Sequence, residues 1–177
     1  MPGFYLRRIA FSGVIAALYA ALTIIVAPIA YGPVQFRLAE VLCILPFFFP
    51  TTTIGLFVGC FIANLLSPYG ILDIIAGPIA TLIAAVLTMN MGKLNREAIV
   101  VKALACLPPV FINALIIGAV IAWATTGGGE AFWSVLAING LQIGFGQFVV
   151  MYAAGLPLMI YLPKLHLFAL LCEQYNT

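Results

Sequence analysis

Residues 34–50 read VQFRLAEVLCILPFFFP, and the fold turns on how they are taken. Arg37 and Glu40 stand inside one of the most apolar runs of a chain that is 65% hydrophobic and only 7% charged. Soluble globular proteins carry roughly 25% charged residues, so this surface is built for lipid rather than water. The 14 residues 36–49 cover only about 21 Å as an α-helix, short of a bilayer core of ~30 Å. The segment is therefore either a short helix or a re-entrant stretch sheltered by its neighbours. Pro46 and Pro50 place a break before the TTT of residues 51–53, which opens the next span.

Working outward, apolar length and Gly/Pro punctuation predict spans at 9–30, 52–66, 71–89, 99–124 and 132–162. With 36–49 included, the expectation is an all-α membrane protein: a bundle of six transmembrane helices forming one domain over residues 1–177. Cytoplasmic loops near span ends collect Lys and Arg. Six spans with an internal N-terminus put Arg7, Arg8, Lys93, Arg96, Lys102 and Lys164 on the cytoplasmic side and leave only Arg37 outside. Both termini are then cytoplasmic, and the TTGGGE loop at 125–130 is external. Arg7 and Arg8 resemble the start of a signal peptide, but the apolar run continues to Tyr31, past the ~7–15 residues of an h-region, with no small-x-small cleavage site. It is expected to stay as the first span.

The composition and motifs also weigh against whole classes of function. A net charge of +2, scattered along the chain, gives no basic stripe for nucleic acid. Cys43, Cys60, Cys106 and Cys172 form no CxxC pair and lie far from His166, so they read as apolar fillers, with no metal or cofactor implied. An intramembrane enzyme needs HExxH, a nucleophile beside a histidine, or paired aspartates, and an ATPase needs GxxxxGK[ST]; the sequence has none of these.

What remains is a set of polar residues predicted at one depth near the outer face. Arg37 and Glu40, three apart, share a helical face. They are either an ion pair snorkelling to the interface or the lining of a polar pocket, and the second reading is preferred because intramembrane ionisable groups usually face a cavity. Asn64, Tyr69, Asp73, Asn139 and Gln142 fall at similar depth. Asp73 is equally well placed to cap a helix, and Asn64 to end one before SPYG. Asn139, Gln142 and Gly146 share one face at i, i+3, i+7, while Gly140 and Gly144 give a neighbouring small face for a close helix. Pro108 and Pro109 free backbone carbonyls; Asn113, one turn on, either repairs that kink or reaches the cavity, with repair preferred. In GVIAALYAAL, Ala16 with Ala20 and Ala17 with Ala21 make two small-xxx-small pairs, suited equally to packing within the bundle and to a partner helix.

The alanine-rich first span, the block FRLAEVLCILPFFFPTTTIGLFVGCFIANLLSPYGILDIIAGPIATLIAA and the later GFGQFVVMYAAGLPL together resemble the QueT family of queuosine-precursor transporters, substrate-binding S components of energy-coupling factor (ECF) importers. The resemblance implies a six-helix bundle in a prokaryotic cell membrane with a solute cavity near its outer face. It implies no ATPase activity in the chain itself, since family members dock on a membrane coupling subunit bearing two ATPases and topple to release their solute. Ala16, Ala17, Ala20 and Ala21 would contact that coupling subunit. The solute would be a deazaguanine such as queuine or preQ1, whose N–H and exocyclic amine suit the carboxyl of Glu40 or Asp73. Arg37, Asn64, Asn139 or Gln142 would serve its carbonyl, and Trp133, Tyr69 and Tyr31 would stack on the ring. Two alternatives stand beside this: an S component for another vitamin such as cobalamin, and a membrane scaffold or intramembrane enzyme outside transport altogether.

Overall fold

The computed structural model describes residues 2–32 and 34–176, and every regular element among them is helical. Helix α1 spans Pro2–Ile25, and a short α2, Ala27–Ala30, restarts it with Pro28 in its first turn, where a missing N–H costs nothing. A 3-10 helix follows over Leu38–Phe47. Then come α3 (Thr52–Asn64), α4 (Ile71–Met91), α5 (Ile99–Ala105), α6 (Leu107–Thr126), α7 (Phe132–Val150), α8 (Leu156–Tyr161) and α9 (His166–Asn176).

Among the described residues, four stretches are long and apolar enough to cross a bilayer: Tyr5–Ile25, Ile71–Met91, Ile99–Thr126 and Phe132–Lys164. The predicted second and third spans are the shorter Leu38–Phe47 and Thr52–Asn64. Two of the long stretches are interrupted where proline denies a hydrogen bond. Pro108 and Pro109 open α6 just after the break at Cys106. Ahead of Pro157, residues Met151–Gly155 widen into a π turn in which the Leu156 N–H reaches back to the Met151 carbonyl.

The 3-10 helix positions everything else. Its 10 residues are an uncommon length for this geometry and cover about 20 Å. Because side chains eclipse every third residue, Arg37, Glu40, Cys43 and Pro46 line up in one row, and all four are buried. Within the helix only Leu38 is exposed. The segment therefore runs through the middle of the bundle, in contact with α1, α3, α4 and α7, and its backbone is kept from lipid by protein, as the apolar solvent requires. One side packs with Tyr19, Leu56, Cys60 and Ala85; its far end, Ile44 and Phe47, packs with Cys106, Val110 and Met151.

Close helix contacts are made by glycine. A Cβ on Gly55 would sit 2.4 Å from the Ser12 carbonyl oxygen, and one on Gly59 2.6 Å from that of Ala16, so α3 lies directly on α1. The two ends of the chain meet: the Arg8 Nη2 donates to the Tyr175 carbonyl at 2.8 Å, and the Tyr175 hydroxyl takes the Thr51 N–H at 2.9 Å.

Candidate functional site

The chain enters the 3-10 helix through a kinked loop. Gln35 holds a left-handed backbone (φ 50) and is buried, and the Arg37 N–H closes the turn on the Gln35 carbonyl at 2.9 Å. This loop presses on α7 at Gly146, where a Cβ would lie 2.1 Å from the Val34 carbonyl oxygen. Arg37 is thereby pointed inward, 2% exposed.

Arg37 and Glu40 do not pair with each other. The guanidinium bonds Asn64 Oδ1 and lies over the Tyr31 ring, 5.5 Å from its centroid. Asn64 in turn donates to the Asp73 carbonyl at 2.9 Å, tying the end of α3 to the start of α4. Its amide fits because position 77 is glycine; a Cβ there would lie 1.9 Å from Asn64 Nδ2. The Ser67 hydroxyl donates to Asp73 Oδ2, and no side chain caps α4. Tyr31 is held by the Ala63 carbonyl at 2.7 Å, and Tyr69 reaches the Tyr31 carbonyl at 3.4 Å.

Glu40, fully buried, has both oxygens engaged. Tyr19 donates to Oε1 at 2.6 Å and the Cys43 thiol to Oε2 at 3.1 Å. Cys43 is thus more than filler, as is Cys60, whose sulfur accepts from Thr81 at 3.3 Å.

The cluster is not saturated. Arg37 Nε and Asp73 Oδ1 are buried with no hydrogen-bond partner, as are Asn113 Oδ1 and Nδ2 and Gln147 Oε1. A buried orphan of this kind costs roughly 1–3 kcal/mol, more for a charged group, so five in one bundle call for a reason. Asn113 does not repair the proline kink, since neither of its polar atoms bonds a carbonyl. Gln147 is a residue the sequence reading missed; its one signal is a lone amide inside GFGQFVV.

The other predicted residues are not gathered in. Trp133 is 74% exposed at the first turn of α7, stacked edgewise on Phe132. Asn139 and Gln142 are half-buried on α7. The four alanines divide into two pairs: Ala16 and Ala20 are buried, with the Ala16 backbone against Gly59, while Ala17 and Ala21 are exposed. Two cavities lie away from the polar cluster. One is an apolar groove of about 530 Å³ between α6 and α7, lined by Ala114, Gly140, Gly144 and Phe148 among others. The other, about 320 Å³, lies between α1 and α9 beside Arg7, Phe49 and Tyr175. The side chains of the polar cluster, Arg37, Glu40, Asn64 and Asp73, are all buried.

The family model described as QueT transporter matches residues 9–164, nearly the whole chain. The chain belongs to the QueT transporter family. It is also similar to the queuosine precursor transporter QueT of Lactococcus lactis subsp. cremoris (strain MG1363), 40% identical over 72 residues. That match covers 40% of this chain and 42% of the relative, so it spans less than half of either. No solved structure matches the chain. Family and architecture agree: four bilayer-length apolar stretches among the described residues fit the multi-pass cell-membrane protein that membership of this family implies. For such a protein, polar groups kept unpaired in the interior are places where a solute can bind.

Proposed function

We propose that the chain is the substrate-binding S component of an ECF importer and that its solute is a queuosine precursor, a deazaguanine of the queuine or preQ1 type. The observation that carries this is the pair of buried, unpartnered atoms in a QueT chain, Arg37 Nε and Asp73 Oδ1. One is a donor and the other an acceptor. A flat heterocycle with a carbonyl oxygen and neighbouring N–H groups satisfies both, and the ring of Tyr31, whose backbone carbonyl takes the Tyr69 hydroxyl, stands beside the Arg37 guanidinium. Asp73 is favoured over Glu40 as the solute's acceptor because both Glu40 oxygens already take a donor. Glu40 then serves to hold α1 and the 3-10 helix in place.

In this reading the two shorter segments complete six crossings, and both termini face the cytoplasm, as the meeting of Arg8 with Tyr175 and the basic residues near that end favour. The chain hydrolyses no ATP. It docks through the exposed Ala17 and Ala21 on a membrane coupling subunit that carries two ATPases, and topples to present the site inward. The closed cluster is the occluded form; loading from outside requires the loop around Gln35 and the turn around Tyr69 to part.

The test is binding of preQ1, queuine, preQ0 and cobalamin to the purified chain in one detergent, followed by uptake of the winner into vesicles holding the complete complex. Tight binding of a deazaguanine and its ATP-dependent accumulation are expected. Binding of cobalamin alone, or of none, overturns the reading.

A further inference from the structure

Asn113 of α6 and Gln147 of α7 are each 1% exposed, and Asn113 Oδ1, Asn113 Nδ2 and Gln147 Oε1 have no partner. Their relative level follows from the packing on either side of them. One turn nearer the α6–α7 connection, Ile117 and Ile143 meet in a single cluster with Ala80. One turn farther from it, Val110 and Met151 meet in another with Ile44 and Phe47. Asn113 lies between Val110 and Ile117 along α6, and Gln147 between Ile143 and Met151 along the antiparallel α7, at i, i+3/i+4 spacing. The two amides therefore occupy one layer, held between two apolar clusters. The residue before Gln147 is Gly146, against which the loop leading to Arg37 is pressed. The amide layer thus adjoins the loop that leads to Arg37, and α6, which carries Asn113, packs on α4, which carries Asp73.

Packing does not account for this layer. Apolar side chains of the same volume would fill it without stranding hydrogen-bonding atoms. An amide with both its donor and its acceptor free matches an edge that offers an acceptor beside a donor, such as a ring N–H next to a carbonyl or an unprotonated ring nitrogen. A deazaguanine presents such a combination on both of its long edges.

We propose that Asn113 and Gln147 form a second hydrogen-bonding wall of the solute site, gripping the edge of a flat nitrogen heterocycle opposite the one met by Arg37 and Asp73. Asn113 binds that edge in both directions, and Gln147 Oε1 accepts a further N–H. This inference rests on the functional reading above, and it assigns two specificity-determining residues to it.

The test uses Asn113→Leu, Asn113→Ala and Gln147→Met in the full chain, each measured for preQ1 affinity and for ligand-free thermal stability in the same detergent. Each variant should bind preQ1 at least about tenfold more weakly, because a buried solute group is left unpaired. The ligand-free Tm of Asn113→Leu and Gln147→Met should hold or rise, because no protein hydrogen bond through the orphan atoms is lost. A residue that only supports the fold would move both readouts downward together. Wild-type affinity in all three variants, as expected if the amides merely hold a buried water, overturns the proposal. So does a ligand-free Tm that falls in step with affinity, or failure to recover any folded variant. If the wild-type chain itself binds no deazaguanine, the functional reading fails first and takes this inference with it, an outcome distinct from binding that ignores the amides.

Discussion

Tyr19 on α1 donates its hydroxyl to Glu40 Oε1 on the 3-10 helix at 2.6 Å, with neither residue exposed. The bond joins, through residues 21 apart in sequence, two elements that otherwise meet through apolar packing around Cys43 and Leu56. Tyr19→Phe removes the donor and leaves a buried carboxyl oxygen without it. The expected cost is about 1–3 kcal/mol of stability, read as a lower Tm of the ligand-free protein. Affinity for preQ1 should change much less, because the phenol acts on the scaffold. An affinity loss as large as that of an Asp73 variant would place Glu40 in contact with solute instead.

Asp73 divides its work between two oxygens: Oδ2 takes the Ser67 hydroxyl and Oδ1 is unpaired. Asp73→Asn can keep the Ser67 contact through its remaining carbonyl oxygen while turning the free acceptor into a donor. Solute affinity should fall about tenfold to a hundredfold, ~1.4–2.8 kcal/mol, with little change in ligand-free Tm. Titration calorimetry in detergent would show it, and unchanged affinity would remove Asp73 from the site.

Much of the architecture is legible in the sequence. Apolar length marks the four long stretches, and prolines at 28, 108, 109 and 157 mark where helices restart or widen. The i, i+3 spacing of Arg37 and Glu40 predicts a shared helical face, and both residues are buried. What stayed hidden was that the helix is 3-10, a geometry that extends the same row to Cys43 and Pro46 and carries it through the bundle centre. The partners were hidden too, since Arg37–Asn64 and Tyr19–Glu40 are tertiary contacts that no local pattern encodes. Trp133 misled because aromatic character says nothing of direction, and at the first turn of α7 its ring points away from the core. Gln147 escaped notice because a single amide in an apolar run gives no period to read.

The alanines of α1 differ in what they touch, so they should differ in what they do. Ala16 lies where α3 is closest, with its backbone against Gly59. Ala16→Leu should overpack that crossing at about 1–3 kcal/mol and lower Tm whether or not partners are present. Ala17 and Ala21 are exposed, and Gly13, one turn before Ala17, has open space beside it. If the proposed coupling subunit docks on them, Ala17→Leu with Ala21→Leu should leave Tm and solute affinity near wild type while abolishing co-purification with it. Intact complex in the double variant would move the docking surface elsewhere.

Cys172 offers a direct measure of sidedness. Cys43, Cys60 and Cys106 are buried in the bundle, whereas Cys172 is half-buried on α9, beyond the last bilayer-length stretch. If both termini are cytoplasmic, a membrane-impermeant maleimide should label inverted vesicles and spare intact spheroplasts, and Cys172→Ser should abolish the signal. The reaction should be slow at neutral pH. Burial raises the Cys172 thiol pKa against the lowering pull of Arg96, and only the thiolate reacts. A raised pKa means less thiolate at a given pH, so the rate should climb as pH is taken above ~8.5, the ordinary thiol value, and Arg96→Gln should slow it further by removing a charge that favours the anion. Labelling from outside intact cells would reverse the orientation and put the Arg37 loop on the cytoplasmic side, where no solute could be captured from the medium.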